Sequence, residues 1–119
     1  MKIIIEFIPH DSQRYDTLGD WYWDNDQTLR IFSANDDGED AAFLVAFHEL
    51  AEAWLCRKAD VSEEDVTSFD LAFLPPNDDP DAEPGDDESA PYRYQHRQAM
   101  MLEMMMALFM GRVDYGTMR

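Results

Sequence analysis

Lysine is almost missing from this chain: Lys2 and Lys58 are the only two, and all basic residues together number nine against 26 Asp and Glu, a net charge of −17 over 119 residues. No basic residue lies between Lys58 and Arg93, an interval of 34 residues, Ala59 to Tyr92, that holds twelve carboxylates. Phosphate backbones and anionic membrane surfaces are held by Lys and Arg, so this balance argues against direct binding to nucleic acid or membrane. Cysteine is limited to Cys56, which excludes an internal disulfide, fits a reducing cytoplasm and leaves no partner for redox chemistry. No glycine-rich loop joins a strand to a helix, so no phosphate cradle is indicated. Long apolar runs are also lacking. The opening segment MKIIIEFIPHDSQ is interrupted by Glu6 with no small-residue cleavage site after it, and no stretch reaches the roughly 18 apolar residues of a membrane span. The expectation is a soluble, cytoplasmic protein.

What is present is enough for a core. Apolar residues make up 45% and aromatics 13% of the chain, too much for a disordered acidic tail. The length suits a single domain covering 1–119. Lys2 to Pro9 reads as a strand, with Ile3, Ile5 and Phe7 on one side of the pleat and Ile4 and Ile8 on the other. Trp21-Tyr22-Trp23 and Leu29-Arg30-Ile31-Phe32 read as two more, joined through Asp24-Asn25-Asp26-Gln27, a polar connection of hairpin length. A first helix is predicted from about Asp40 to Lys58, with Phe43, Phe47, Leu50 and Trp54 on a stripe, acids at its start and Arg57 and Lys58 at its end. Ser62-Glu63-Glu64-Asp65 resembles a capping box, and the second helix it opens is stopped by Pro75. A third is predicted from Arg93 to Gly111, with His96, Met100, Glu103 and Ala107 on one stripe. Its methionines, Met100, Met101, Met104, Met105 and Met106, read as flexible core filling. Between the last two helices, 75–91 carries five prolines and seven carboxylates and reads as an extended acidic loop. The fold class expected is α+β: a small three-stranded antiparallel sheet followed by three helices.

One segment carries recognisable chemistry. Phe47-His48-Glu49-Leu50-Ala51-Glu52 contains His-Glu-x-x-Glu within the first helix, and the four-residue spacing of His48 and Glu52 brings both to one face. The pattern is one residue from His-Glu-x-x-His, the zincin helix in which two histidines hold zinc and the glutamate acts as base. A carboxylate is an ordinary zinc ligand, so His48 and Glu52 as ligands with Glu49 as catalytic base is a permissible variant. His96 is the expected third ligand, and Glu103, seven residues on along the same stripe, is an alternative ligand or an acceptor behind one. Zinc is the cofactor this set implies. Cys56 and the Trp21-Tyr22-Trp23 run read as packing rather than as a nucleophile and a base-stacking platform.

The chain also resembles a group of small uncharacterised phage and prophage proteins. The likeness lies in Asp20-Trp21-Tyr22-Trp23 to Leu29-Arg30-Ile31-Phe32, in His48-Glu49-Leu50-Ala51-Glu52-Ala53 with Leu55-Cys56-Arg57, in Glu83-Pro84-Gly85-Asp86-Asp87 with Ala90-Pro91-Tyr92, and in His96 with Glu103. The resemblance implies a compact zincin-like helix and a mobile-element origin, and therefore the cytoplasm of a host cell. The chain departs from metallopeptidases in having Glu52 where they carry a second histidine.

Two functions follow as expectations. The leading one is a non-enzymatic inhibitor that mimics nucleic acid and occupies the Lys/Arg groove of a DNA-binding host defence complex, an anti-CRISPR type of protein. A basic protein surface is then the partner, met by Asp36, Asp37, Glu63, Glu64, Asp78, Asp79, Asp81, Glu83, Asp86, Asp87 and Glu88, since duplex DNA itself presents about one charge per 1.7 Å of axis. The alternative is a zinc-dependent hydrolase built on His48, Glu49, Glu52 and His96, whose field attracts cationic substrates or metal. A third explanation is adaptation to high salt, which would leave the charge silent about partners.

Overall fold

The β-branched run at the amino terminus and the aromatic run at 21–23 both become strands in the computed structural model of the protein, which describes residues 1–112, 114 and 115. Strand β1 spans Lys2–Ile8, β2 Gly19–Asn25 and β3 Thr28–Ala34. Helices follow at Glu39–Lys58 (α1), Glu63–Ala72 (α2) and Arg93–Phe109 (α3), with single 3-10 turns at His10–Ser12 and Pro84–Asp86. The class is α+β.

The sheet is mixed rather than wholly antiparallel. Its order is β1-β3-β2, with β2 antiparallel to β3 and β1 parallel to β3 in the register Lys2↔Thr28 through Ile8↔Ala34. The chain direction still alternates from strand to strand. Because β3 inserts between its two predecessors, β1 meets the strand that runs its own way. Apolar residues lie on both faces of β1, and their pattern carries no information about its neighbour. The ends are tied by Asn35 N–H to the Ile8 carbonyl and Ala34 N–H to that of Leu18. The hairpin turn is tighter than its polar stretch suggests: Asp26 and Gln27 alone lie between β2 and β3, and the Asn25 side chain accepts from Gln27 N–H at 2.9 Å.

Helix α1 lies across the inner face of β2 and β3. Leu29, Ile31 and Ser33 of β3 are fully buried there, with Trp21, Ala46, Ala53, Cys56, Val66, Ala90 and Tyr92 completing the core around Leu29 and Ile31. The Ser33 hydroxyl donates to the Ala42 carbonyl at 2.7 Å and joins sheet to helix. Helix α1 is sandwiched between the sheet and α3, so its covered positions are Ala42, Leu44, Val45, Ala46, His48, Glu52, Ala53 and Cys56. Of the expected stripe, Leu50 packs against the core, whereas Phe43 falls on the flank, 44% exposed and stacked on Phe47. Small residues let the three layers approach closely, and that decides which face is covered. In α3, His96, Ala99, Glu103 and Ala107 face inward. The methionines divide: Met104, Met106 and Met110 pack around Leu44, Ala107 and Tyr115, whereas Met101 and Met105 face solvent and are not core filling.

Helix α2 starts as expected, Ser62 Oγ accepting from Asp65 N–H at 3.1 Å. Its Glu63 carboxylate accepts from Trp23 N–H at 2.7 Å, which satisfies a backbone donor on the edge strand β2. Arg57 closes the same corner, donating to the Asp26 carbonyl with its guanidinium 4.2 Å from the Trp23 ring. The acidic loop is more structured than an extended segment. Turns and the Pro84–Asp86 3-10 helix fold it against α3.

Ile5 and Ile31 are cross-strand partners on the same face, yet only Ile31 lies fully buried, Ile5 being 44% exposed. Ile31→Ala is expected to cost about 2 to 5 kcal/mol and Ile5→Ala about half of that or less, as read from urea unfolding midpoints. Equal losses would mean that β1 is covered as deeply as β3.

Candidate metal centre

The four residues singled out on the two long helices meet in one buried cluster. His48, Glu52, His96 and Glu103 are each no more than 5% exposed. Helix α1 contributes His48 and Glu52 from adjacent turns, α3 contributes His96 and Glu103 two turns apart, and the packing of α1 on α3 closes the gap. Glu52 is the hub. Its Oε2 lies 3.0 Å from His48 Nε2 and 3.0 Å from His96 Nδ1, and its Oε1 accepts from the Trp21 indole N–H at 3.1 Å. On the far side of the His48 ring, Nδ1 lies 2.8 Å from Glu103 Oε1, and Glu103 Oε2 accepts from the Tyr115 hydroxyl at 2.6 Å.

Burial of His48 disfavours its charged form, but both ring nitrogens face carboxylate oxygens and the net result raises its pKa to about 10. Burial likewise pushes the Glu52 carboxyl up, and its hydrogen bonds to His48 and His96 overcome this and hold it well below the usual carboxylate range. Without an ion the cluster is thus a charge-assisted hydrogen-bond network. With one, the same atoms would be its ligands. His48, Glu52 and His96 each offer a donor atom within 4.8 Å of the others, close enough to hold a metal ion. Atoms sharing a tetrahedral zinc are roughly 3.3 Å apart for bonds of about 2.0 Å, near the separations of Glu52 Oε2 from the two rings. Glu103 stands behind His48 on Nδ1, the position of an acceptor that fixes a ligating ring, and lies outside this three-residue set.

Glu49 reaches the same place from a different angle. With His48, Glu52 and His96 it lines a cleft of about 430 Å³, walled also by Tyr15, Asp70, Asp81, Glu83 and Tyr92. Gly19 makes room for it: a Cβ there would lie 2.5 Å from Glu49 Oε1 and 2.7 Å from its Cγ. Among the described residues no Lys or Arg lines this cleft, and six carboxylates do: Asp16, Glu49, Glu52, Asp70, Asp81 and Glu83.

The acidic residues expected to form a surface array divide into two sets. Several are tied into the fold: Asp36 accepts from His10 N–H at 2.8 Å, Glu63 from Trp23 N–H, and Asp87 from the Ser89 N–H and hydroxyl. Glu83 and Asp86 are drawn to His96, 3.5 and 3.2 Å from its Nε2. The others, Asp37, Glu64, Asp78, Asp79, Asp81 and Glu88, are exposed. Cys56 is buried, which pushes its thiol up to about 12 and leaves it inert at neutral pH.

Sequence reasoning missed the partners that complete the site: Trp21 and Tyr115 as donors, Gly19 as spacer, and Asp70. The Asp70 carboxylate accepts from the Tyr15 hydroxyl at 3.1 Å and from the Tyr92 hydroxyl. Burial pushes its carboxyl up to about 6 despite those two hydrogen bonds. A carboxyl whose pKa is raised by folding contributes stability that is present below its unfolded value and lost as pH rises through the folded one. Wild type is therefore expected to lose stability relative to Asp70→Asn as pH rises from about 4 to about 7, measured as paired thermal unfolding curves. A difference that stays flat over that range would assign Asp70 an ordinary pKa. No family model, curated protein or solved structure matches the chain, so what the cluster can do is read from its own residues and distances.

Proposed function

We propose that the protein is a zinc-dependent hydrolase of zincin-like design, with His48, Glu52 and His96 as ligands and Glu49 as general base. The observation that carries the reading is the convergence of three buried donors on a cleft that Glu49 also lines. The donor set suits zinc, since two imidazoles and one carboxylate leave a position for substrate or water. Zinc held there supplies Lewis-acid polarisation of a carbonyl or phosphoryl oxygen. The rest falls to the chain. Glu103 orients His48, Trp21 orients Glu52, and Glu49 takes the proton of an attacking water. The carboxylate-lined cleft favours cationic substrates.

Protein purified without added metal should carry at least one equivalent of zinc, and His48→Ala should carry one equivalent fewer. Glu49→Gln should keep the zinc while hydrolysis of a chromogenic ester falls by about 100-fold or more. A fully folded, metal-free wild type would remove this reading.

The exposed carboxylates favour a second reading, the anti-CRISPR type of inhibitor with a phage-like origin. Asp78, Asp79, Asp81 and Glu88 lie in the loop after α2 and are all exposed, so they are available to a basic groove. In this reading the protein captures a DNA-binding defence effector, and DNA or moderate salt releases it. Changing these four residues to Asn or Gln should weaken capture in a pull-down. Capture indifferent to DNA, salt and the four substitutions would exclude mimicry.

A further inference from the structure

The side of His96 turned away from Glu52 faces another set of donors. His96 Nε2 is buried, its side chain only 5% exposed, and it makes no hydrogen bond. Buried polar atoms are nearly always partnered, so this one points to something the protein atoms do not supply. Asp86 Oδ1 at 3.2 Å and Glu83 Oε2 at 3.5 Å come close without hydrogen-bond geometry. One donor atom from each of Glu83, Asp86 and His96 lies within 4.8 Å of the other two.

The local chain builds this arrangement. Glu83 caps the 3-10 turn Pro84–Asp86, and in a helix of three residues per turn positions i and i+3 eclipse, which sets both carboxylates on one side. Pro84 fixes the first residue of the turn. Gly85, buried between them, lets the turn lie on the imidazole, since a Cβ there would sit 2.4 Å from His96 Cγ. Any larger residue would push the carboxylates off the ring.

We propose that Glu83, Asp86 and Nε2 of His96 form a second divalent-cation site at the mouth of the cleft, and that His96 joins the two sites through its opposite ring nitrogens. One imidazole and two carboxylates suit zinc or manganese. Asp86 is 58% exposed, so water completes the coordination. Ligated on both sides the ring gives up both N–H protons, and two dications flanked by Glu52, Glu83 and Asp86 balance the charge. The site rests on the hydrolase reading only through the shared ring and needs no ion at Glu52.

The test is a metal count on the metal-stripped full chain, titrated with zinc and in parallel with manganese and followed by native mass spectrometry and calorimetry. Wild type is expected to bind two ions and Glu83→Gln/Asp86→Asn one. Both substituted side chains reach solvent, and circular dichroism checks that the variant folds. A wild type that saturates with one ion retained by the double variant overturns the proposal. So does one ion held more weakly by that variant, because the carboxylates then only orient the ring. His48→Ala/Glu52→Gln separates the two readings. A single ion that this variant keeps and Glu83→Gln/Asp86→Asn loses leaves the second site standing while the hydrolase reading falls. If the His48→Ala/Glu52→Gln protein does not fold, the wild-type and Glu83→Gln/Asp86→Asn counts still decide the second site.

Discussion

The rest of the site depends on one buried carboxylate. Glu52 bridges the sheet and both long helices, taking a proton donor from Trp21 of β2 and standing between His48 of α1 and His96 of α3. An ion taken out of water costs several kcal/mol unless good geometry repays it, and a buried pair that loses one member is strongly destabilising. The charge on Glu52 therefore fixes how α1, α3 and β2 sit relative to one another. Helix α3 must present His96 at that depth, and Trp21 must turn its indole N–H inward. Burial supplies the cost and the imidazoles supply the compensation, so the same residues that specify the packing leave a polar centre in the interior.

Around this centre the packing is organised to keep polar groups partnered and layers close. Ala42, Ala46 and Ala53 on α1 let the sheet and α3 approach its axis, while Phe43 and Phe47 are displaced to the flank. Glycines have the same spacing role where backbone meets side chain. Gly19 leaves volume for Glu49 on one wall of the cleft, and Gly85 lets the acidic loop settle on His96 at the other. Asp70, shared between Tyr15 and Tyr92, anchors α2 to the same wall. The cleft is thus an outcome of helix packing and loop folding together.

The charge of −17 resolves into parts with different physical roles. Glu52 and Glu103 are core members, Asp20 is buried against Arg14, and Asp70 is a shared acceptor. Asp36, Glu63 and Asp87 accept backbone or hydroxyl protons, and Glu83 and Asp86 gather on an imidazole. Asp78, Asp79, Asp81 and Glu88, in the loop after α2, are exposed and stand outside these roles.

Much of the local structure was legible in the sequence. The strands at 2–8, 19–25 and 28–34 follow from β-branched and aromatic runs, α1 and α2 from acids and a serine at their starts, and α3 from the spacing of His96, Glu103 and Ala107. The pairing of His48 with Glu52 needed only helical periodicity, which is a property of consecutive residues. The strand order, the Trp21 and Tyr115 donors and the turn that seats Glu83 and Asp86 were not legible. Each depends on residues far apart in the chain meeting across a layer, and pattern along the chain carries no record of which neighbour packing selects. By itself the sequence determined the elements, the pairing of His48 with Glu52 and His96 as the residue expected to join them. Tertiary structure alone decided that β1 runs beside β3 and that two helices close on Glu52, because burying that carboxylate is tolerable only where imidazoles from both helices meet it.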